Sequence, residues 1–238
     1  MADISRRAHE LGTENAFVVL AEVNALIRQG KDIISFCIGQ PDFPSPANVQ
    51  DAAIRAIKEG KHGYTPSAGI APLRAAIAKV VAETREVPVE PTDVVVAAGA
   101  KPFIGYSILT ATDHGAGDEV IYPNPGFPIY ESFIPYVGAT PVPIHLQEEK
   151  EFSLSGEELA PLLSERTKLI FLNFPSNPTG GVASPEQLRE IARVIRSRCR
   201  EEVRIFSDEI YEHILFDGER HHSIISCPDV ERNTILVS

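Results

Sequence analysis

The strongest constraint on this chain is an alternation. Short β-branched apolar runs recur at 93–98 (DVVVAA), 119–122 (EVIY), 140–144 (TPVPI), 168–174 (KLIFLNF), 203–207 (VRIFS) and 234–238 (TILVS). Between them lie helical patterns at 102–112, 128–137, 156–164 and 185–200. In the last, Leu188, Ile191, Ala192 and Ile195 share one face, and Arg189, Glu190, Arg193 and Arg196 the other. Its start carries an N-cap serine, Ser184, then Pro185 and a reciprocal Gln187. Near-continuous apolar strands alternating with helices predict a mostly parallel sheet covered on both faces, a three-layer α/β/α fold. Further helices are expected at 15–29, 47–59 and 71–84, separated by Gly/Pro-rich turns at 39–46 and 64–69. The wound domain is expected to span 47–238, after an N-terminal segment at 1–46.

Composition narrows the function classes. Lys and Arg number 22 against 33 Asp and Glu, a formal charge of −11. That balance argues against a general nucleic-acid or anionic-membrane binder, which needs a basic footprint. No apolar run approaches the roughly 18 residues of a membrane span, and the first residues lack a signal-peptide core. Cys37, Cys199 and Cys227 are odd in number and widely spaced, so a reducing, cytoplasmic setting is the default. Seven histidines are present, but neither HExxH nor a Cys/His pairing accompanies them, so no metal site is expected. His221 and His222 read as solvated loop residues, residues 148–151 (EEKE) as a solvated turn, and Arg193, Arg196, Arg198 and Arg200 as one charged helix face.

In open α/β sheets, ligands sit beyond the carboxyl ends of the strands. Four loops there are chemically distinctive. Residues 98–101 (AGAK) leave a strand and start a helix. Gly99 permits close approach, and the backbone N–H groups of Ala100 and Lys101 face the helix start, a setting for an anion. An ordinary tight turn would look the same taken alone. Residues 122–130 hold three prolines and a glycine around Phe127, whose ring could stack on a planar ligand or cap the core. Residues 173–181 (NFPSNPTGG) combine turn chemistry with Asn177, an amide able to bond a ligand oxygen. Asp208 ends an apolar strand, where a carboxylate is costly to desolvate without a positive partner, and Tyr211 comes three residues later. Mg²⁺ would be another partner for such a carboxylate. A phosphate, a flat ring, a ring oxygen and a protonated ring nitrogen satisfy all four loops, and pyridoxal phosphate carries all four.

These strings resemble the class I/II aminotransferases, the aspartate-aminotransferase-like pyridoxal-phosphate enzymes of fold type I. The resemblance runs along the whole chain: GQPDFPSP at 39–46, YTPSAGIAPLR at 64–74, AGAK at 98–101, YPNPGFPIYES at 122–132, NFPSNPTGG at 173–181 and SDEIY at 207–211. It implies that Gly39 meets the substrate carboxylate and that Tyr64 reaches the cofactor phosphate of a neighbouring subunit in a homodimer. It also implies phosphate binding by the 99–101 backbone and stacking by Phe127. Asn177 and Tyr211 would bond the ring oxygen, and Asp208 would pair with the ring nitrogen. Residues 1–46 would join a smaller domain. The implied reaction moves an amino group between an amino acid and a 2-oxo acid. The alternatives are a lyase, decarboxylase or synthase of the same fold, or a non-catalytic protein, because cofactor loops do not set reaction type.

One departure from the pattern carries weight. The family's Schiff-base lysine is expected just after Ser238, so no catalytic residue is assigned within these 238 residues. The resemblance implies an N-terminal portion, inactive alone. It also implies an antiparallel strand from later sequence between 93–98 and 234–238. Without it both strands would have an open edge and the isolated chain would tend to aggregate.

Overall fold

A computed structural model describes residues 5–12 and 15–238; the remaining residues of the 1–46 segment lie outside the described set. In chain order the elements are α1 (Arg6–Glu10), α2 (Asn15–Arg28), α3 (Ala47–Lys58), α4 (Ala71–Arg85), α5 (Lys101–Ala111), β1 (Glu119–Asn124), α6 (Pro128–Tyr136), β2 (Thr140–His145), α7 (Gly156–Leu159), β3 (Thr167–Asn173), α8 (Pro185–Arg198), β4 (Arg204–Asp208) and β5 (Thr234–Val237). The strands form one sheet in the order β2-β1-β3-β4-β5, and every pair is parallel.

Alternation along each strand builds two apolar layers. Ile121, Ile170, Leu172 and Ile205 face one side, against Leu188, Ile191, Ala192 and Ile195 of α8. Val120, Leu169, Phe171 and Phe206 face the other, against Ile104 and Ile108 of α5 and Tyr130 and Ile134 of α6. Burying an aliphatic side chain of the α8 type is worth about 1.5–3 kcal/mol. The Ser184 cap forms as expected: its hydroxyl accepts from Gln187 N–H, and the Gln187 side chain accepts from Ser184 N–H. The exposed arginines of the same helix lie on its outer face, and Arg200 pairs with Glu165. The 148–151 turn is exposed, with Lys150 bonded to Glu158 at 2.7 Å.

Two elements differ from the sequence expectation. Residues 93–98 form no strand: Pro91–Asp93 is a 3-10 turn, and residues 94–97 join no ladder. The cause is partnership, since none of the five described strands lies beside them. Their backbone is held instead by Val96 N–H donating to the Ala68 carbonyl at 3.0 Å and by Arg74 Nε donating to the Val94 carbonyl at 2.8 Å. The helix expected at 156–164 breaks into α7 and a 3-10 turn, Ala160–Leu162. Pro161 has no N–H to continue the α-helical ladder. Among the described residues, no helix is long and apolar enough to cross a membrane, and no group of three His, Cys, Asp or Glu could hold a metal ion. All three cysteines are free thiols.

Parallel pairing brings the carboxyl ends of β3, β4 and β5 level. Asn173 lies opposite Asp208, and Asp208 opposite Val237.

Candidate active site

Asp208 is the last residue of β4 and is 5% exposed. Alternation places it on the Phe206 side of the sheet, beneath α6. There the Tyr130 hydroxyl donates to Asp208 Oδ2 at 2.5 Å. The other oxygen, Oδ1, is buried and has no hydrogen-bond partner among the described residues. Burial pushes the Asp208 carboxyl above the ordinary aspartate range, outweighing the Tyr130 bond that favours its ionised form. Burial and the nearby carboxylate push the Tyr130 phenol well above its own range, so it stays a donor. Tyr130 is fully buried, with its ring stacked on Phe171 at a centroid distance of 4.6 Å.

Phe127 precedes the first residue of α6, three positions before Tyr130. That spacing brings the two rings edge to face at 5.9 Å. Lys101 Nζ lies 5.4 Å from the Phe127 ring centroid, which joins the start of α5 to this ring. The N-cap residue of α5, Ala100, makes no side-chain cap. Gly99 turns the chain into α5 with φ +89°, and a Cβ there would meet nothing within 4 Å. The space beside Gly99, just before this helix start, is therefore open.

On the other side of Asp208, Asn177 Nδ2 donates to the Tyr211 hydroxyl at 3.3 Å. Asn173 ties this pair to the strand end: its Oδ1 accepts from Asn177 N–H at 2.8 Å, and its Nδ2 donates to the Asp208 carbonyl at 3.1 Å. The contacts thus run unbroken from Lys101 through Phe127, Tyr130, Asp208, Asn173 and Asn177 to Tyr211. Gly39 and Tyr64 stand apart. Both are exposed, and neither has a hydrogen bond or ring contact to this group.

Sequence reading passed over Tyr130, Asn173 and Glu209. Tyr130 had a signal: it lies one helical turn beyond Phe127. Glu209 had none, because a carboxylate next to Asp208 reads as solvated. His221 is a correction. It is not solvated; its side chain is 10% exposed and its Nε2 lies 2.7 Å from Glu209 Oε2. The interior beside it supplies the acidic partner that a sequence cannot place.

The family model "Aminotransferase class I and II" matches residues 31–238. The chain belongs to that family. A probable aspartate/prephenate aminotransferase of Aquifex aeolicus is 37% identical over 230 residues, covering 97% of this chain and 57% of that protein. An aspartate aminotransferase of Bacillus subtilis is 33% identical over 99% of this chain and 59% of its own length. The structure of the aspartate aminotransferase from Thermus thermophilus with maleate superposes with a TM-score of 0.91 at 32% identity, over 99% of this chain and 60% of that one. The chain thus spans less than two thirds of the length of these relatives. The expected α/β architecture is that of these aminotransferases, pyridoxal-phosphate proteins of fold type I.

The residues at the strand ends fit that cofactor. Asp208 Oδ1 is a buried acceptor with no hydrogen-bond partner among the described residues, and burial holds the carboxyl above its ordinary range, so a cationic donor would suit it. A protonated pyridine nitrogen is such a donor.

Proposed function

We propose that this chain carries the cofactor cradle of an aminotransferase that moves an amino group between an amino acid and a 2-oxo acid. The observation that carries the reading is Asp208: buried, held on one oxygen by Tyr130, and unpartnered on the other. Pyridoxal phosphate, when bound, supplies an electron sink for a carbanion at the substrate α-carbon.

The chain's own residues supply binding and polarity. The backbone at Gly99, Ala100 and Lys101 would take the phosphate, with the dipole of α5 favouring its charge. Phe127 offers a ring face held by Tyr130. Asn177 and Tyr211, hydrogen-bonded to each other, would bond the ring oxygen. Asp208 would favour the protonated form of the ring nitrogen, which would keep the ring electron-poor. Gly39 would meet the substrate carboxylate, and Tyr64, fully exposed here, would reach the phosphate site of a second copy in a homodimer. Residues 1–46 would belong to a smaller domain, as α2 holds no buried residue. The cytoplasm suits its three free thiols.

Two measurements test this. The full chain should bind pyridoxal phosphate, and Asp208→Ala should bind it far more weakly. A whole protein that carries this chain together with the family's lysine, given an amino acid, aspartate first because relatives carry that name, and a 2-oxo acid, should form the exchanged pair. Consumption of the amino acid without a new amino acid from the 2-oxo acid would reject amino transfer.

A further inference from the structure

Immediately behind Asp208 the structure holds a second buried carboxylate. Glu209 is 1% exposed. Strand alternation turns it to the face opposite Asp208, the face that Ser207 shares. Its two oxygens accept from Arg85 Nη2 at 3.0 Å, Ser207 Oγ at 2.7 Å, His221 Nε2 at 2.7 Å and Ser223 Oγ, with Arg85 Nε at 3.3 Å. Arg85 bonds Glu212 as well, and Glu212 accepts from Ser238 Oγ at 2.6 Å. The Glu209 N–H donates to the Val237 carbonyl at 2.8 Å. One side chain therefore joins the end of α4, the 221–223 loop and the strand end that presents Asp208 and Tyr211.

We propose that Glu209, held by Arg85 and His221, is a positioning residue for Asp208 and Tyr211 toward the pyridine ring. This rests on the cofactor reading above. Asp208 has one hydrogen-bonded oxygen on its own side, so its aim depends on the backbone on which it stands. That backbone is fixed from behind, by five donors to the adjacent residue. A buried and fully satisfied network of this kind rigidifies what it carries. Charge argues the same way. An uncompensated Glu209 beside Asp208 would oppose ionisation of Asp208, and the Arg85 guanidinium sits against that charge. His221 also lines an open cleft of about 420 Å³, so it can be changed without excavating the core.

The test is a double-perturbation cycle on the full chain. Affinity is measured for pyridoxal phosphate and for its analogue with ring nitrogen replaced by C–H, which removes the partner of Asp208. The native chain should prefer pyridoxal phosphate. In Glu209→Gln and His221→Ala that preference should fall by about tenfold, a 1.4 kcal/mol loss. His221→Gln, which can still donate to Glu209, should largely retain it. Should Glu209→Gln not fold, the two His221 variants decide alone. A preference unchanged in His221→Ala, even with both compounds bound more weakly, would reduce the network to a structural role and overturn the inference. A native chain that shows no preference would remove the cofactor reading itself, and this inference with it.

Discussion

Tyr130 and Asp208 meet across 78 residues of sequence, hydroxyl to carboxylate at 2.5 Å, in a layer with no solvent access to the phenol. The bond fixes one oxygen and leaves the other to a ligand. Tyr130→Phe keeps the ring packing and removes the side-chain donor to Asp208. Stability should drop by about 1–3 kcal/mol, the cost of an unsatisfied buried group. Urea denaturation at neutral pH reads the loss; a change within error would mean that water already satisfies Asp208.

Asp208 should also leave a signature in the pH dependence of stability. Burial raises its folded-state pKa, so the folded chain keeps the proton to higher pH than the unfolded chain. The associated stability is complete below the unfolded pKa and is lost as pH rises through the folded one. Asp208→Asn carries no such proton. With no cofactor present, the stability of Asp208→Asn minus that of the native sequence should grow with pH and then level off. Denaturation midpoints from about pH 4 to 8 measure it; a difference that is flat in pH would contradict the raised value.

Arg85 stands between two carboxylates, Glu209 and Glu212. Burial alone would raise the Glu212 carboxyl, but the bonds from Arg85 and Ser238 hold it below its ordinary range. Arg85→Met leaves that charge pair uncompensated and should cost about 3–5 kcal/mol. A lowered carboxylate contributes stability above its unfolded pKa and loses it as pH falls through the folded one. The penalty of Arg85→Met should therefore shrink in acid, where Glu212 takes up a proton in both chains. A penalty that stays constant down to about pH 4 would argue for lost packing alone.

Two local changes probe the loops that lead away from the strands. Gly99→Ala forces a side chain into φ +89° and should cost about 1–2 kcal/mol through backbone strain while adding a methyl to the open space before α5. Ser184→Ala removes the cap of α8 and should cost about 1 kcal/mol without touching the cofactor loops. Thermal unfolding with and without pyridoxal phosphate separates them. Only Gly99→Ala should lose ligand-induced stabilisation; equal ligand shifts in both would exclude the 99–101 backbone as the phosphate site.

Much of the fold was legible in the sequence because it is periodic or local. The near-continuous apolar run KLIFLNF placed β3 with both faces buried, and the spacing in 185–198 placed the inner face of α8. The loops with Phe127, Asn177 and Asp208 stood out because proline, glycine and a charge at a strand end are unusual chemistry at fixed positions. What stayed hidden was long-range. The 93–98 run has strand composition, yet a strand exists only with a neighbour to share its hydrogen bonds. Glu209 and His221 look like surface residues until Arg85, more than a hundred positions away, is folded against them. Tyr64 and Gly39 were readable only by resemblance, since nothing in this chain's own packing engages them.

Because every strand points the same way, the two rims of the sheet differ in what they tolerate. Asn124, Asn173 and Asp208 all end on one rim, with the loops that converge on a ligand. The turns at 113–118, 164–166 and 200–203 lie on the other rim, where strands begin. A tag, an insertion or a new chain break belongs on that second rim. There it can change solubility or attachment while the geometry around Asp208 stays as it is.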